Sequence, residues 1–223
     1  MKEHFHEQLD ELNANLLKMA VLTEEAIYKS VESLKSMDRA GAEAVIEEDK
    51  RIDELENRIE KNAIGLLALQ QPMAVDLRFI TTGMKINAEL ERIADLAVNI
   101  CQCVIRLEEE KKPLLKPLID IPKLSETARK MVKGAIDAFV NRDEKLAKEI
   151  ILSDCEADAL RNAVYDELTK DFIAKNGKCA PRAIPLLLVA RHLERICDHA
   201  TYIAEDIIYM IKGRLVKHHT ESL

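Results

Sequence analysis

The sequence contains the same two acidic motifs twice, and this repetition restricts the chain to folds built from two copies of one unit. Residues 91–95 read ERIAD, and residues 194–198, which lie 103 positions later, read ERICD. A DxxxD motif at residues 49–53 recurs at 154–158, an offset of 105 positions. Two motifs that recur in the same order and at nearly the same offset indicate an internal duplication.

Helical periodicity runs through both halves and predicts six long helices, because it is interrupted only at a few helix-breaking positions. In the first half the helices are predicted at residues 3–36, from the turn at 37–41 to about 69, and at 73–110. In the second half they are predicted at residues 123–140, from the turn at 141–143 to about 175, and from the turn at 176–181 to about 213.

A proline-rich segment separates the two halves. Residues 112–122 read KPLLKPLIDIP, and three prolines so close together rule out a continuous helix. We therefore predict an all-α fold of two tandem, pseudo-symmetric, antiparallel three-helix bundles. The first repeat is residues 1–111, the connection is 112–122, and the second repeat is 123–223.

The charge and hydropathy of the chain argue against two classes of partner. The formal net charge is −7, whereas binding to a nucleic-acid backbone depends on clustered Lys and Arg. No segment approaches the roughly 20 apolar residues of a membrane helix, and the N-terminus lacks the apolar core of a signal peptide. We expect a soluble, cytoplasmic protein that neither binds nucleic acid nor inserts into a membrane.

The cysteines and the histidines of the last helix are interpreted as structural and as surface residues, respectively. The number of cysteines is odd and no CxxC pair occurs, so all five are predicted to be reduced, small core residues; they are Cys101, Cys103, Cys155, Cys179 and Cys197. His192, Arg195 and His199 have the spacing i, i+3, i+7 and are predicted to form a stripe that faces solvent or a partner.

Carboxylate pairs are the candidate functional residues, because acidic side chains four apart on a helix can reach one cation. In an antiparallel hairpin, residues equally distant from the turn lie at the same height. The first-half pairs are centred on residues 51 and 93, with their midpoint at Pro72, and the second-half pairs on 156 and 196, with their midpoint at Asn176. The predicted metal-binding residues are Asp49, Asp53, Glu91 and Asp95 in the first half, and Asp154, Asp158, Glu194 and Asp198 in the second.

Three ways of compensating the mutual repulsion of these carboxylates are open at this stage. A cation, ion pairs with Arg92 and Arg195, or full exposure to water would each serve. If a cation binds, all-oxygen ligands favour a hard ion such as Mg²⁺, Mn²⁺, Ca²⁺ or ferric iron. If none binds, the carboxylates form a solvated acidic stripe.

No motif typical of catalysis is present, and we predict that the protein is not an enzyme. The chain has no glycine-rich phosphate loop, no GxSxG elbow and no HExxH helix. A di-iron enzyme of the helical-bundle type needs Glu-x-x-His on two helices. Here Val189 precedes His192 and Ile196 precedes His199 at that spacing.

These motifs together resemble those of the PhoU family of phosphate-transport regulators, and the resemblance covers essentially the whole chain. It depends on PMAVDLR at residues 72–78, ERIAD at 91–95, RHLERICDHA at 191–200 and IAED at 203–206. One position departs from the pattern. Many relatives carry Asn where this chain has Tyr202, whereas the first repeat keeps Asn99.

The resemblance implies a cytoplasmic, usually homodimeric negative regulator of phosphate-starvation signalling. Such a protein communicates between the phosphate ATP-binding cassette (ABC) importer, through its ATPase subunit, and a sensor histidine kinase. Some family members hold iron or other metals on paired acidic motifs, which match the eight carboxylates named above. The alternative hypothesis is a helical co-chaperone or scaffold module without a metal site, since the fold alone does not determine the function.

Overall fold

The computed structural model describes residues 2–213, and every regular element in that range is helical. Seven α-helices account for most of it: α1 (Lys2–Ser36), α2 (Arg39–Glu48), α3 (Lys50–Gln70), α4 (Ala74–Glu109), α5 (Asp120–Asn141), α6 (Glu144–Asp166) and α7 (Ala180–Lys212). A π-helical segment, Glu167–Ile173, extends α6, and a short 3-10 turn, Gly177–Cys179, precedes α7. Residues 214–223 of the predicted second repeat lie outside the described residues.

The predicted fold of two antiparallel three-helix bundles is confirmed, with small differences at the helix ends. The second predicted helix is divided into α2 and α3 at Asp49, but Asp49 keeps right-handed helical dihedrals (φ −57°, ψ −33°), so the two helices follow one path. Helix α5 begins at Asp120, earlier than predicted, because Pro122 lies in the first turn, where its missing N–H costs no hydrogen bond. The last predicted turn is shorter, since α7 already begins at Ala180.

Helices α4 and α7 pack antiparallel at the centre of the molecule and join the two repeats. Three polar contacts connect them: Lys85 to Asp206 at 2.8 Å, His199 to Glu89 at 2.5 Å, and Arg78 Nε to the Met210 carbonyl at 2.9 Å. The buried apolar residues of both repeats form one continuous cluster. The carboxylate pairs on α4 and α7 are therefore held on two central helices that pack against each other.

The predicted stripe of His192, Arg195 and His199 on α7, facing solvent or a partner, is wrong for His199, whereas Arg195 is exposed. His199 is only 8% exposed, because α4 covers this face of α7 and Glu89 pairs with the His199 ring. His192 is partly buried, and its Nδ1 has no hydrogen-bond partner. Burial lowers the pKa of His192, and the nearby Arg195 and Arg191 lower it further. The sequence spacing identified a common face of α7, but not the helix that packs against it.

Four of the five cysteines are buried as predicted, and the prediction is wrong for Cys155, which is exposed. Burial raises the pKa of Cys101 to about 12 and that of Cys103 to about 11, so both are protonated thiols. Within residues 2–213 no helix is both long and apolar enough to cross a membrane.

Two carboxylate clusters as the candidate functional site

The first candidate site, here called the first cluster, consists of Asp49, Asp53, Glu91 and Asp95. Asp49 and Asp53 lie at the start of α3, and Glu91 and Asp95 lie on α4. Burial raises the pKa of Asp49 to about 6, and the charges of Asp53 and Asp95 contribute to this rise. Burial and the charge of Asp95 raise the pKa of Glu91. Carboxylates from both helices are thus close enough to repel one another, at the height that equal distance from Pro72 implies.

The second candidate site, the second cluster, consists of Asp154 and Asp158 on α6 and of Glu194 and Asp198 on α7. The pKa of Asp198 is raised to about 6, mainly by burial and, to a smaller extent, by the charges of Glu194, Asp154 and Asp158. The pKa of Asp154 is raised by burial and then by Asp158 and Glu194. All four side chains of this cluster therefore lie within electrostatic reach of each other.

Two residues that sequence reasoning missed make the clusters different. Glu56 belongs to the first cluster, since burial, Glu60, Asp53 and Asp95 all raise its pKa. At the corresponding position of the second repeat, 105 residues later, stands Arg161. Arg161 Nη2 lies 3.5 Å from Asp158 Oδ1 and 3.3 Å from Glu194 Oε1.

The first cluster is therefore a set of five carboxylates, whereas the second contains four carboxylates and an internal cation. Arg92 and Arg195, which the sequence offered as neutralising partners, form no ion pair within the part of the chain that the structure describes. Arg92 lowers the pKa of Glu91 and of Glu56, but in both cases its influence is smaller than that of burial. The sequence spacing could have identified both residues, because positions 56 and 161 each follow a DxxxD motif by three residues.

The donor chemistry of the first cluster fits a hard cation. The atoms that could bind an ion are all oxygens. The raised pKa values show that the carboxylates are partly buried and repel one another, and a bound cation would relieve this repulsion. Asn87, which is 3% exposed and lies one helical turn before Glu91, donates from Nδ2 to the Glu56 carbonyl at 3.0 Å. Its buried Oδ1 has no partner. The second repeat has Ala190 at the position 103 residues after Asn87.

The side chains are placed as surface clusters rather than as closed ligand shells. Among residues 2–213 no group of three or more acidic, His or Cys side chains is already close enough to hold an ion. Asp53 and Asp95 are exposed, so both can rotate. Cys101 and Cys197 are not ready thiolate ligands, because burial raises the pKa of both thiols and thiolate is the ligating form.

Comparison with known proteins assigns the chain to a family. The PhoU domain model matches residues 16–104 and, a second time, residues 121–207. The chain belongs to the PhoU family. Each matched segment contains one of the two carboxylate clusters, so both clusters lie within PhoU domains. The duplication predicted from the repeated motifs is the duplication of this domain.

Relatives with the PhoU name match over almost their full length. The chain is 41% identical over 211 residues to a phosphate-specific transport system accessory protein PhoU homolog from Aquifex aeolicus, covering 95% of this chain and 94% of the relative. A PhoU homolog of the same description from Clostridium acetobutylicum is 35% identical over 214 residues, covering 95% and 96%.

Solved PhoU structures share the fold. The crystal structure of PhoU from Pseudomonas aeruginosa aligns with a TM-score of 0.89 at 31% identity and covers 94% of this chain and 100% of that one. The crystal structure of the phosphate transport system regulatory protein PhoU from Streptococcus pneumoniae aligns with a TM-score of 0.87 at 28% identity, covering 96% and 99%.

The raised pKa values of this PhoU chain lead to a pH prediction. The metal-free protein should be more stable at about pH 5.5 than at about pH 7.5. Asp49 and Asp198 have pKa values of about 6 when folded, against 3.8 for a free Asp side chain, so the folded state binds the extra protons and gains stability as the pH falls through 6. Because both groups are partly solvated, we expect only about 1 kcal/mol from each.

Urea unfolding in EDTA at both pH values measures this difference. The double variant Asp49→Asn/Asp198→Asn serves as the control, since it should lose the part of this pH dependence that the two raised pKa values cause. A double variant whose stability changes between the two pH values as much as that of the wild type would contradict the raised pKa values.

Proposed function

We propose that this protein is a cytoplasmic, non-enzymatic regulator of phosphate uptake that also represses phosphate-starvation signalling. The principal support is that PhoU domains account for both repeats and that full-length relatives are named accessory proteins of the phosphate-specific transport system. An accessory protein of a transporter acts through contacts with other proteins. The exposed acidic faces of the two repeats are the surfaces best suited to that role.

The partners that we propose are the ATPase subunit of the phosphate ABC importer and a membrane sensor histidine kinase, which the protein meets as a homodimer. Two similar but unequal acidic faces on one chain suit an adaptor that serves two partners. The net charge of −7 favours partner surfaces rich in Lys and Arg. Rim charges of this kind set association rates and specificity more than they set final affinity.

We further propose that a hard metal ion assists this contact, and that the first cluster holds it more tightly than the second. Iron, Mn²⁺, Mg²⁺ and Ca²⁺ are all suited to carboxylate oxygens. In the first cluster Glu56 adds a fifth carboxylate and Asn87 Oδ1 an unpaired neutral oxygen. In the second, the guanidinium of Arg161 already pairs with two of the four carboxylates.

A bound ion would supply positive charge and a fixed geometry at this face. Asp49 and Glu91 are partly buried and would hold the ion against α3 and α4. Asp53 and Asp95 are exposed and would lie on the side of the ion that a partner can reach. A metal held in this way could accept a ligand from the partner surface as well. The metal would then act as a bridge and not as a reaction centre.

A pull-down with the importer ATPase subunit and the kinase tests this function. We expect both to be captured by the full chain in Mn²⁺, and capture to fall in EDTA and in the Asp95→Ala variant. The matched control is Asp137→Ala, which removes an exposed carboxylate of α5 outside both clusters.

Three outcomes separate the components of the proposal. Capture that is equal in Mn²⁺ and EDTA would reject the metal but keep the regulator. Capture of neither partner would reject the adaptor role and favour the scaffold alternative. Equal losses in Asp95→Ala and Asp137→Ala would show that general charge, and not the first cluster, is read by the partner.

A further inference from the structure

A small cleft between α1 and α3 gathers three positively charged side chains outside the carboxylate clusters. The cleft has a volume of about 100 Å³. Its lining residues are Lys18 and Leu22 from α1, and Arg51, Glu54, Leu55 and Arg58 from α3. We refer to it as the basic cleft.

The three cations of the basic cleft lie close together and, among the described residues, are not held by acidic neighbours. Within residues 2–213, Lys18, Arg51 and Arg58 form no ion pair or hydrogen bond through their side chains. Many other surface cations form ion pairs: Lys35 lies 2.7 Å from Glu32, and Arg39 lies 2.8 Å from Glu43. In an acidic protein with 40 carboxylates and 33 Lys and Arg, three unpaired cations around one cleft leave a local positive charge that an anion would neutralise.

The spacing on α3 directs the arginines to one side. Arg51 and Arg58 are seven residues apart, so they lie about two turns from each other on the same helix face. Leu55, which is 6% exposed, lies between them and forms an apolar floor. The side chains of Lys18, Arg51 and Arg58 are exposed, so their charge-assisted hydrogen bonds are available to an anion that arrives from solvent.

The second repeat shows that the bundle does not need these cations. The positions 105 residues after Arg51 and Arg58 are occupied by Glu156 and Ala163. Both positions lie on α6, which packs in the same way as α3 in its own repeat. The arginines are therefore a property of the first repeat and not of the fold.

We propose that the basic cleft binds a small tetrahedral oxyanion of the inorganic phosphate class. The cleft, with a volume of about 100 Å³, has room for one such ion between the three cations. Planar guanidinium groups donate paired hydrogen bonds to phosphate oxygens, and Lys18 adds a third charge.

Glu54 gives the basic cleft a means of selecting phosphate over sulfate. An ionised carboxylate only accepts hydrogen bonds. At neutral pH phosphate still carries a proton that it can donate to Glu54, whereas sulfate carries none. Sulfate would therefore place an anion against the Glu54 carboxylate without a compensating hydrogen bond. Glu54 is a specificity-determining residue of the proposed site.

Equilibrium dialysis of the full chain with radiolabelled inorganic phosphate tests the proposal. EDTA keeps the carboxylate clusters free of metal, so that a failure here is independent of the metal proposal. We expect saturable binding of one phosphate per chain, weakened about tenfold or more by Arg51→Gln or Arg58→Gln. Unlabelled sulfate should compete poorly with the wild type and much better with Glu54→Gln.

The controls locate the effect in the basic cleft. Lys133→Gln removes an exposed cation of α5, and Asp95→Ala alters the first cluster; both should bind phosphate as the wild type does. Absence of saturable binding, or equal binding by the Arg58→Gln variant, would overturn the proposal. Equal competition by phosphate and sulfate in the wild type would overturn the role of Glu54.

Discussion

Replacing Glu56 by Arg is expected to weaken Mn²⁺ binding at the first cluster on the order of 100-fold. The substitution gives the first repeat the charge arrangement that Arg161 creates in the second, where the guanidinium lies 3.3 Å from Glu194 Oε1. It removes one carboxylate and adds a cation next to the bound ion, a change of two charges. At the effective dielectric of a partly exposed site, each such charge is worth one or more kcal/mol.

The reciprocal variant, Arg161→Glu, should move the second cluster in the opposite direction. Without Arg161, the repulsion among Asp158, Glu194 and their neighbours is no longer compensated by a positive charge. A bound cation would then take over the attraction that the guanidinium provided, so its affinity should rise. We expect a second, tighter Mn²⁺ site to appear in this variant. Electron paramagnetic resonance titration of free Mn²⁺ counts the sites and gives both affinities.

Asp137→Arg is the matched control for the Glu56→Arg variant. It makes the same change in net charge as Glu56→Arg, but on the exposed side of α5 and away from both clusters. Its Mn²⁺ affinity should stay close to that of the wild type. If Glu56→Arg and Asp137→Arg behaved alike, the unequal charge of the two clusters would have no part in metal binding.

The heights of the carboxylate pairs could be predicted from the sequence because the rise of an α-helix is constant. Once Pro72 and Asn176 mark the hairpin turns, counting residues is enough to place Asp49 opposite Asp95, and the charge of Asp95 does raise the pKa of Asp49. The residue count stays valid across the division between α2 and α3, since Asp49 keeps helical dihedrals. Local geometry therefore carried this part of the prediction.

Contacts that depend on which helices meet could not be predicted in this way. The face of α7 that holds His199 has the polar spacing of a surface, and only its packing against α4 makes His199 buried. Arg161 was overlooked for a related reason. A residue three positions after Asp158 shares its face, but whether it reaches Glu194 depends on the rotation of α6 against α7.

The largest stability effect is expected for Phe139→Ala, which should lower the free energy of unfolding by about 3–5 kcal/mol. Phe139 is 1% exposed and belongs to α5 of the second repeat. Its ring stacks on Phe79 of α4 in the first repeat, with centroids 4.9 Å apart and planes 13° apart. A Cβ on Gly83 would lie 3.9 Å from Phe139 Cζ and 3.2 Å from Leu16 Cδ1, so Gly83 leaves room for this packing.

Val140→Ala is the control, because Val140 is the next residue along α5 and is 38% exposed. Its substitution should change the free energy of unfolding by less than about 0.5 kcal/mol. Urea unfolding followed by circular dichroism measures both. A similar loss of unfolding free energy in the two variants would mean that the Phe139 ring contributes no more to stability than the exposed Val140 side chain.

The same variant also separates stability from metal binding. Phe139 lies where the two repeats meet, whereas each carboxylate cluster is formed by two helices of a single repeat. Below its unfolding transition, Phe139→Ala should therefore bind Mn²⁺ with wild-type affinity despite the loss of stability. A loss of affinity in the folded variant would instead mean that the packing between the repeats controls the spacing of the carboxylates, which would make that contact part of the regulatory mechanism.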